Sequence, residues 1–212
     1  MKKALGIDLG MRTKTAMALL SIDGGHVVLE GGVRHGLTDR DILKAVWTLE
    51  PDVIVFDAPL SGEMGEQREA DLELRKLLRA FSDAFSAEGS IGSPFGRMLF
   101  PITYRGFYLR DHLQGHFRLM ETHPLVDFVF ADNNPKRAKV WRCRKADNAC
   151  QYQLLRQYVE NLPSGLDDDQ YDAVMCALTG CVEVAGHAFL SLRDLVPHAK
   201  GFPSFKVLQA PK

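Results

Sequence analysis

Cysteine is scarce and unpatterned: four residues, at 143, 150, 176 and 181, with no C-x-x-C pair. That spacing excludes a zinc ribbon and a thioredoxin-type redox motif. Cys176 and Cys181 fall in an apolar, helix-patterned stretch and are expected to be reduced core residues. No apolar run approaches the roughly 18 residues that a membrane span needs, so no membrane partner is expected. The opening MKKALGIDLG carries two lysines, but Asp8 interrupts what would be a secretory core. These features together point to a cytoplasmic location. Three signatures are missing as well: G-x-x-x-x-G-K-[ST], G-x-G-x-x-G and G-x-S-x-G. P-loop, dinucleotide-binding and nucleophile-elbow chemistry therefore have no support.

Net charge is also nearly absent, with 26 Lys+Arg against 27 Asp+Glu. The balance is uneven, however. Between residues 97 and 145 ten basic side chains stand against four acids. One surface can therefore attract an anion while another concentrates carboxylates.

The 212 residues suffice for one domain with a buried core and no disulfide staples. A single domain over 1–212 is expected, with a helical and loop insertion at about 62–117. Short apolar strands are expected at 5–8, 15–21 and 26–31, the last two joined by the hairpin signal Ile22-Asp23-Gly24-Gly25. Thr38 or Asp39 can cap a helix that Pro51 stops. The run 53–56 is typical of a strand buried on both faces. Further helices are expected at 66–81, 104–117, 146–160 and 168–188, with a loop at 86–102 and a strand at 118–122. The tail after 188 reads as irregular or as an edge strand. This order describes an α/β fold: a mixed sheet of three antiparallel strands followed by parallel strands, flanked by helices.

Acids close the apolar strands. Asp8 ends the first, Asp57 the fourth and Glu121 the fifth, while Asp169 and Asp172 share one face of the last helix. In an open α/β sheet ligands gather at the carboxyl ends of parallel strands. Converging carboxylates repel one another, and divalent cations relieve that repulsion. Oxygen ligands suit Mg²⁺ or Mn²⁺, and two such ions roughly 3.5–4 Å apart support phosphodiester hydrolysis. Blander roles exist for each acid alone: a strand-end turn residue, a helix cap for Asp169, an arginine partner for Glu121.

Five segments carry a family resemblance: GIDLGMRTKTAMAL at 6–19, VIVFDAPLSG at 53–62, the R-x-x-D-x-x-x-R run of Arg68, Asp71 and Arg75, METHP at 120–124, and DDQYDAVMCALTG at 168–180. The chain resembles the domain-of-unknown-function 429 family, predicted nucleases with a ribonuclease H-like fold. More distantly, Asp8, Asp57 and the Asp169/Asp172 pair resemble the acidic set of Holliday-junction resolvases. The resemblance implies a metal-dependent nuclease with two Mg²⁺ or Mn²⁺ ions. Asp8, Asp57 and Asp172 would be ligands, with Asp169 or Glu121 as a fourth.

Residues 136–145 hold six basic side chains in ten, with Trp141 among them. Lys139 and Arg142 there fit a phosphate-tracking patch on nucleic acid with a stacking aromatic; the same segment also fits a solvated basic face with Trp141 as a core anchor. Arg68 and Arg75 fit either substrate contact or ion pairs along their helix. Two other function classes stay open. One is a non-catalytic nucleic-acid-binding or scaffold protein of this fold. The other is a phosphotransferase of the actin and sugar-kinase type, which would need a second phosphate loop where Asp57 is followed by Ala-Pro-Leu. Oligomeric state is open, a homo-oligomer included.

Overall fold

The structure, a computed structural model, describes residues 1–11, 14–61, 68–85, 100–142, 148–188, 190–195 and 202–209. β1 (Lys2–Asp8), β2 (Ala16–Asp23) and β3 (His26–His35) form an antiparallel meander. The β2–β3 hairpin turns on Gly24 and Gly25, both at positive φ (56° and 89°), as a two-residue hairpin loop requires. α1 (Asp39–Leu49) begins with a reciprocal capping box between Thr38 and Asp41. It ends with Glu50 in the left-handed region, and β4 (Val53–Asp57) then lies parallel to β1.

α2 (Glu69–Phe81) and α3 (Phe100–Leu113) lie between β4 and β5 (Leu119–Glu121), and β5 runs parallel to β4. α4 (Pro124–Asp132), α5 (Ala138–Arg142) and α6 (Ala149–Leu155) follow, then β6 (Val159–Glu160), α7 (Asp168–Ala185), β7 (Ser191–Asp194) and β8 (Ser204–Gln209). The sheet order is β6-β3-β2-β1-β4-β5-β8-β7. The expected succession of three antiparallel strands and then parallel strands is present.

Four local expectations need correction. Segment 124–132, given no element by pattern, is helix α4; it is buried nearly all round, so it shows no amphipathic period. The helix expected over 146–160 stops at Leu155, because Val159 and Glu160 pair with Val27 and Val28 of β3. The helix expected at 104–117 runs instead from Phe100 to Leu113, and Gly115 at φ 92° lies just beyond its end. The tail forms a hairpin whose inner strand β8 pairs with β5, leaving β7 at the edge. Most of the expected loop, residues 86–99, lies outside the described residues, as do 62–67 and Cys143.

The pleat divides the sheet into two faces. Ala4 of β1 and Val53 and Val55 of β4 enter one core with Val174, Ala177 and Leu178 of α7. Leu5, Ile7, Ile54 and Phe56 enter another with Ile42 and Val46 of α1 and Leu109 and Leu113 of α3. α7 approaches β1 so closely that a Cβ on Gly6 would stand 2.1 Å from the Ala173 carbonyl oxygen. A side chain at Gly180 would stand 2.8 Å from Ala4 Cβ. Two glycines, one on each element, thus let the helix lie almost directly on the strand.

Candidate carboxylate site

One register row spans four strands. His35 of β3 pairs with Ala16 of β2, Ala16 with Asp8 of β1, and Asp8 with Asp57 of β4. Paired residues point to the same face, which here is the face covered by α7. Asp8 and Asp57 therefore stand side by side, on strands about 4.8 Å apart, at the carboxyl ends of two parallel strands.

α7 brings the remaining acids to that row. Asp167 caps the helix, its Oδ1 accepting the Gln170 N–H at 2.8 Å. Asp167 Oδ2 lies 3.3 Å from His35 Nδ1, and Asp169 Oδ2 lies 3.8 Å from His35 Nε2. Among the described residues, His35, Asp167 and Asp169 form a group whose ligand atoms all lie within 4.8 Å of one another. One turn further along, Asp172 is 4% exposed and accepts a hydrogen bond from Gln151 Nε2 at 3.2 Å.

Cys176, one turn beyond Asp172, reports the local field. Burial pushes its thiol well above its ordinary pKa, and the negative charges of Asp57, Asp8, Asp127 and Asp172 push it further. Four carboxylates from β1, β4, α4 and α7 thus act on one buried group. Of the four, Asp8, Asp57 and Asp172, together with Asp169, form the oxygen-rich set that fits a hard divalent cation, and His35 adds a nitrogen donor at its edge.

Asp127, which lies behind that set and not in it, is an acid that pattern reading missed. It is fully buried; Thr122 Oγ1 and Thr179 Oγ1 lie 2.6 Å and 2.9 Å from its Oδ2, and the Leu208 N–H donates to Oδ1 at 2.7 Å. Burial raises its pKa to about 7 against those hydrogen bonds. The signal was available as an acid inside the apolar run LVDFVFA. His35 and Asp167 were also missed. β3 was expected to stop near Gly31, but a register shift opposite Met17–Leu19 carries it on to His35.

Glu121 is placed elsewhere. Its register partner is Phe56, one residue short of Asp57, so the pleat turns it to the opposite face of the sheet. There it is 2% exposed and holds Arg68, whose Nη2 lies 2.7 Å from Oε1 and whose Nη1 donates to Oε2 at 2.9 Å. The Leu60 N–H donates to the same Oε2 at 2.9 Å. Arg68 also grips Asp71 at 2.7 Å. Burial works against the Arg68 charge, but Glu121 and Asp71 more than offset it and hold the guanidinium above its ordinary pKa. The expectation of Glu121 as a site ligand and Arg68 as a substrate contact thus meets a closed internal ion pair that braces the loop after Asp57.

α3 braces the same edge. Arg105 donates to Asp39, to Thr15 Oγ1 and to the Gly10 carbonyl, and Arg110 donates to the Leu60 carbonyl at 2.7 Å. The loops following Asp8 and Asp57 are both held from this helix. In the basic segment, Trp141 is fully buried, stacks on Phe128 at 5.3 Å and donates to Asp132 Oδ2 at 2.7 Å. It is a core anchor and not a stacking platform. Lys139 is exposed; the Arg142 side chain lies outside the described residues. Arg75, one turn after Asp71, is half-buried.

No family model matches the sequence, and no curated protein matches it. Solved structures do. The structure of Thermus thermophilus RuvC shares 10% identity, covering 84% of this chain and 92% of that one, with a TM-score of 0.47. T. thermophilus RuvC in complex with a Holliday junction substrate shares 10% identity over 87% of this chain and 97% of that one, with a TM-score of 0.50. The fold is ribonuclease H-like. The ribonuclease H-like sheet explains why Asp8 and Asp57 meet: both end neighbouring parallel strands beneath the helix that carries Asp169 and Asp172. Among the described residues no helix is long and apolar enough to cross a membrane.

Proposed function

We propose that this chain is a metal-dependent nuclease that hydrolyses phosphodiester bonds of nucleic acid. The observation that carries the reading is the shared register of Asp8 and Asp57 under α7, the helix that brings Asp169 and Asp172 to the same sheet edge. An idle fold has no physical reason to gather mutually repelling carboxylates at one sheet edge. The likeness to RuvC, solved with a Holliday junction, and the resemblance to the domain-of-unknown-function 429 family support the same reading.

Asp8, Asp57, Asp169 and Asp172 would hold two Mg²⁺ or Mn²⁺ ions, with His35 beside Asp169. Such ions supply an activated water and stabilise the leaving oxygen of a phosphodiester. The chain's own part is to hold the carboxylates fixed. Asp8 and Asp57 are set by backbone pairing, Asp172 by α7, and the loops beyond the two strands by Arg105, Arg110 and the Arg68–Glu121 pair. Arg68 is engaged by Glu121 and Asp71, and Arg75, Lys139 and Arg142 are assigned to phosphate contact. We assign this work to one cytoplasmic domain spanning 1–212, with 62–117 inserted between β4 and β5.

The test begins without a substrate. Calorimetric titration of Mn²⁺ into wild-type protein is expected to show uptake near two ions, lost in Asp8→Asn. Cleavage of RNA, DNA, hybrid and junction substrates is then expected to need millimolar Mg²⁺. Full cleavage in EDTA would sink the mechanism. Nucleic-acid binding without metal uptake would favour a non-catalytic binding protein, and nucleotide hydrolysis a phosphotransferase.

A further inference from the structure

Asp172 is almost wholly buried, so its carboxylate cannot rely on solvent for hydrogen bonds. One donor to it comes from α6. Gln151 is itself fully buried, and its Nε2 donates to Asp172 Oδ1 at 3.2 Å. α6 is in turn tied to the segment before α7, because Asn148 Nδ2 donates to the Leu166 carbonyl at 3.3 Å. The short helix and its cap residue therefore hold α7 at the Asp172 carboxylate and the segment before it at Leu166.

The other end of the Gln151 amide is unusual. Its Oε1 is buried and has no hydrogen-bond partner among the described residues. A buried acceptor left unmet costs about 1–3 kcal/mol. A leucine or methionine would fill the same volume without that cost, so packing alone does not explain an amide here. A glutamate would place a second carboxylate against Asp172 and repel it. An amide can do two things there: it donates to the Asp172 carboxyl oxygen and keeps an acceptor beside it. The donor that suits such an acceptor is a water carried in by a hydrated divalent cation, since Mg²⁺ and Mn²⁺ keep part of their water shell when bound by carboxylates.

We propose that Gln151 is a positioning residue of the carboxylate site. Its Nε2 fixes Asp172 through Oδ1, and its Oε1 accepts from the hydration shell of the bound cation. The proposal rests on the cation site proposed above. It goes beyond it by assigning a role to a residue on α6 that no metal would touch directly. Outer-shell partners of this kind typically change metal affinity by about 10–100-fold when removed.

The experiment uses the full chain and Mn²⁺ alone, read by the electron paramagnetic resonance signal of the free ion. The metal-free melting temperature is recorded in parallel. Gln151→Met is expected to raise the Mn²⁺ dissociation constant by about 10–100-fold. Gln151→Asn, whose shorter amide cannot reach Asp172, is expected to do the same and stands in should the methionine variant fail to fold. In an Asp172→Asn background, Gln151→Met is expected to cost less Mn²⁺ affinity than it does in the wild type, because the carboxylate that Nε2 serves is gone and only the Oε1 contact remains to be lost. A purely structural glutamine would shift the melting temperature and leave the dissociation constant alone, which overturns the assignment while the carboxylate site stands. Absence of Mn²⁺ uptake by the wild-type protein overturns the cation site itself, and the role of Gln151 with it.

Discussion

Asp57 and Glu121 end neighbouring parallel strands, yet they do opposite things. Asp57 is register-paired with Asp8 and half-buried on the α7 face; Glu121 is paired with Phe56, fully buried, and locked to Arg68 and the Leu60 N–H. A shift of one residue decides between them, because side-chain direction along a strand has a period of two. The α7 face collects carboxylates that repel. The other face neutralises its carboxylate with a cation. The first arrangement is the one proposed to hold a cation, and the second stores stability.

The largest expected effect breaks the second arrangement. Arg68→Met leaves Glu121 and Asp71 buried beside each other without their cation. Removing one partner from a buried pair costs about 3–5 kcal/mol, far above the cost of breaking an exposed pair. Urea denaturation is expected to show that loss, with part of it recovered when Glu121→Gln is added. A change under about 1 kcal/mol would mean that the pair contributes little more than a surface bridge.

Asp127 offers a third way to bury a carboxylate, neither paired with a cation nor gathered for one. Thr122 Oγ1 lies 2.8 Å from the Lys206 carbonyl oxygen and Thr179 Oγ1 lies 3.0 Å from that of Met175. Each hydroxyl has a single proton, and the carbonyls can only accept. A proton on Asp127 can be donated to one hydroxyl, which then serves its carbonyl while the other hydroxyl donates to Asp127, in keeping with a pKa raised to about 7 by burial. The sign follows from proton linkage. The folded state holds this proton more tightly than the unfolded chain, so its stabilisation is complete near pH 4 and is lost as pH rises through 7. Between those limits urea denaturation is expected to show a fall of about 2–4 kcal/mol from this group. Asp127→Asn mimics the protonated acid and is expected to flatten the slope and to match or exceed wild-type stability at pH 8. An unchanged slope in Asp127→Asn would assign the pH dependence to other groups.

The comparison also marks where sequence reading succeeds. Asp8 and Asp57 are legible because each ends a short apolar strand, and one parallel pairing brings such ends together. The hairpin at Gly24–Gly25 and the cap at Thr38 are local signals that the structure bears out. Glu121 looks like its neighbours because pattern locates a strand end only to within a residue, and here one residue changes the face. Trp141 in its basic run is ambiguous for a related reason: charge pattern describes the neighbours, whereas the indole is buried by its stacking on Phe128. α4 shows no periodicity because it is apolar on nearly every side, so Asp127 stays hidden within it. β8 is invisible as an inner strand because its parallel pairing with β5 spans more than eighty residues of chain.

The smallest expected effect on stability sharpens the contrast from the other side. Asp57→Asn removes one of two carboxylates that share a register row and a face. If that row exists to hold a cation, its charges oppose folding in metal-free solution, as residues held for function often do. Metal-free Asp57→Asn is therefore expected to be as stable as wild type or more stable by about 1 kcal/mol in urea denaturation. With saturating Mn²⁺ the order is expected to reverse, because only the wild-type site gains binding free energy in the folded state. Arg68→Met would lose stability under both conditions. A destabilised metal-free Asp57→Asn, insensitive to Mn²⁺, would place Asp57 in the same structural class as Glu121 and remove the distinction between the two faces.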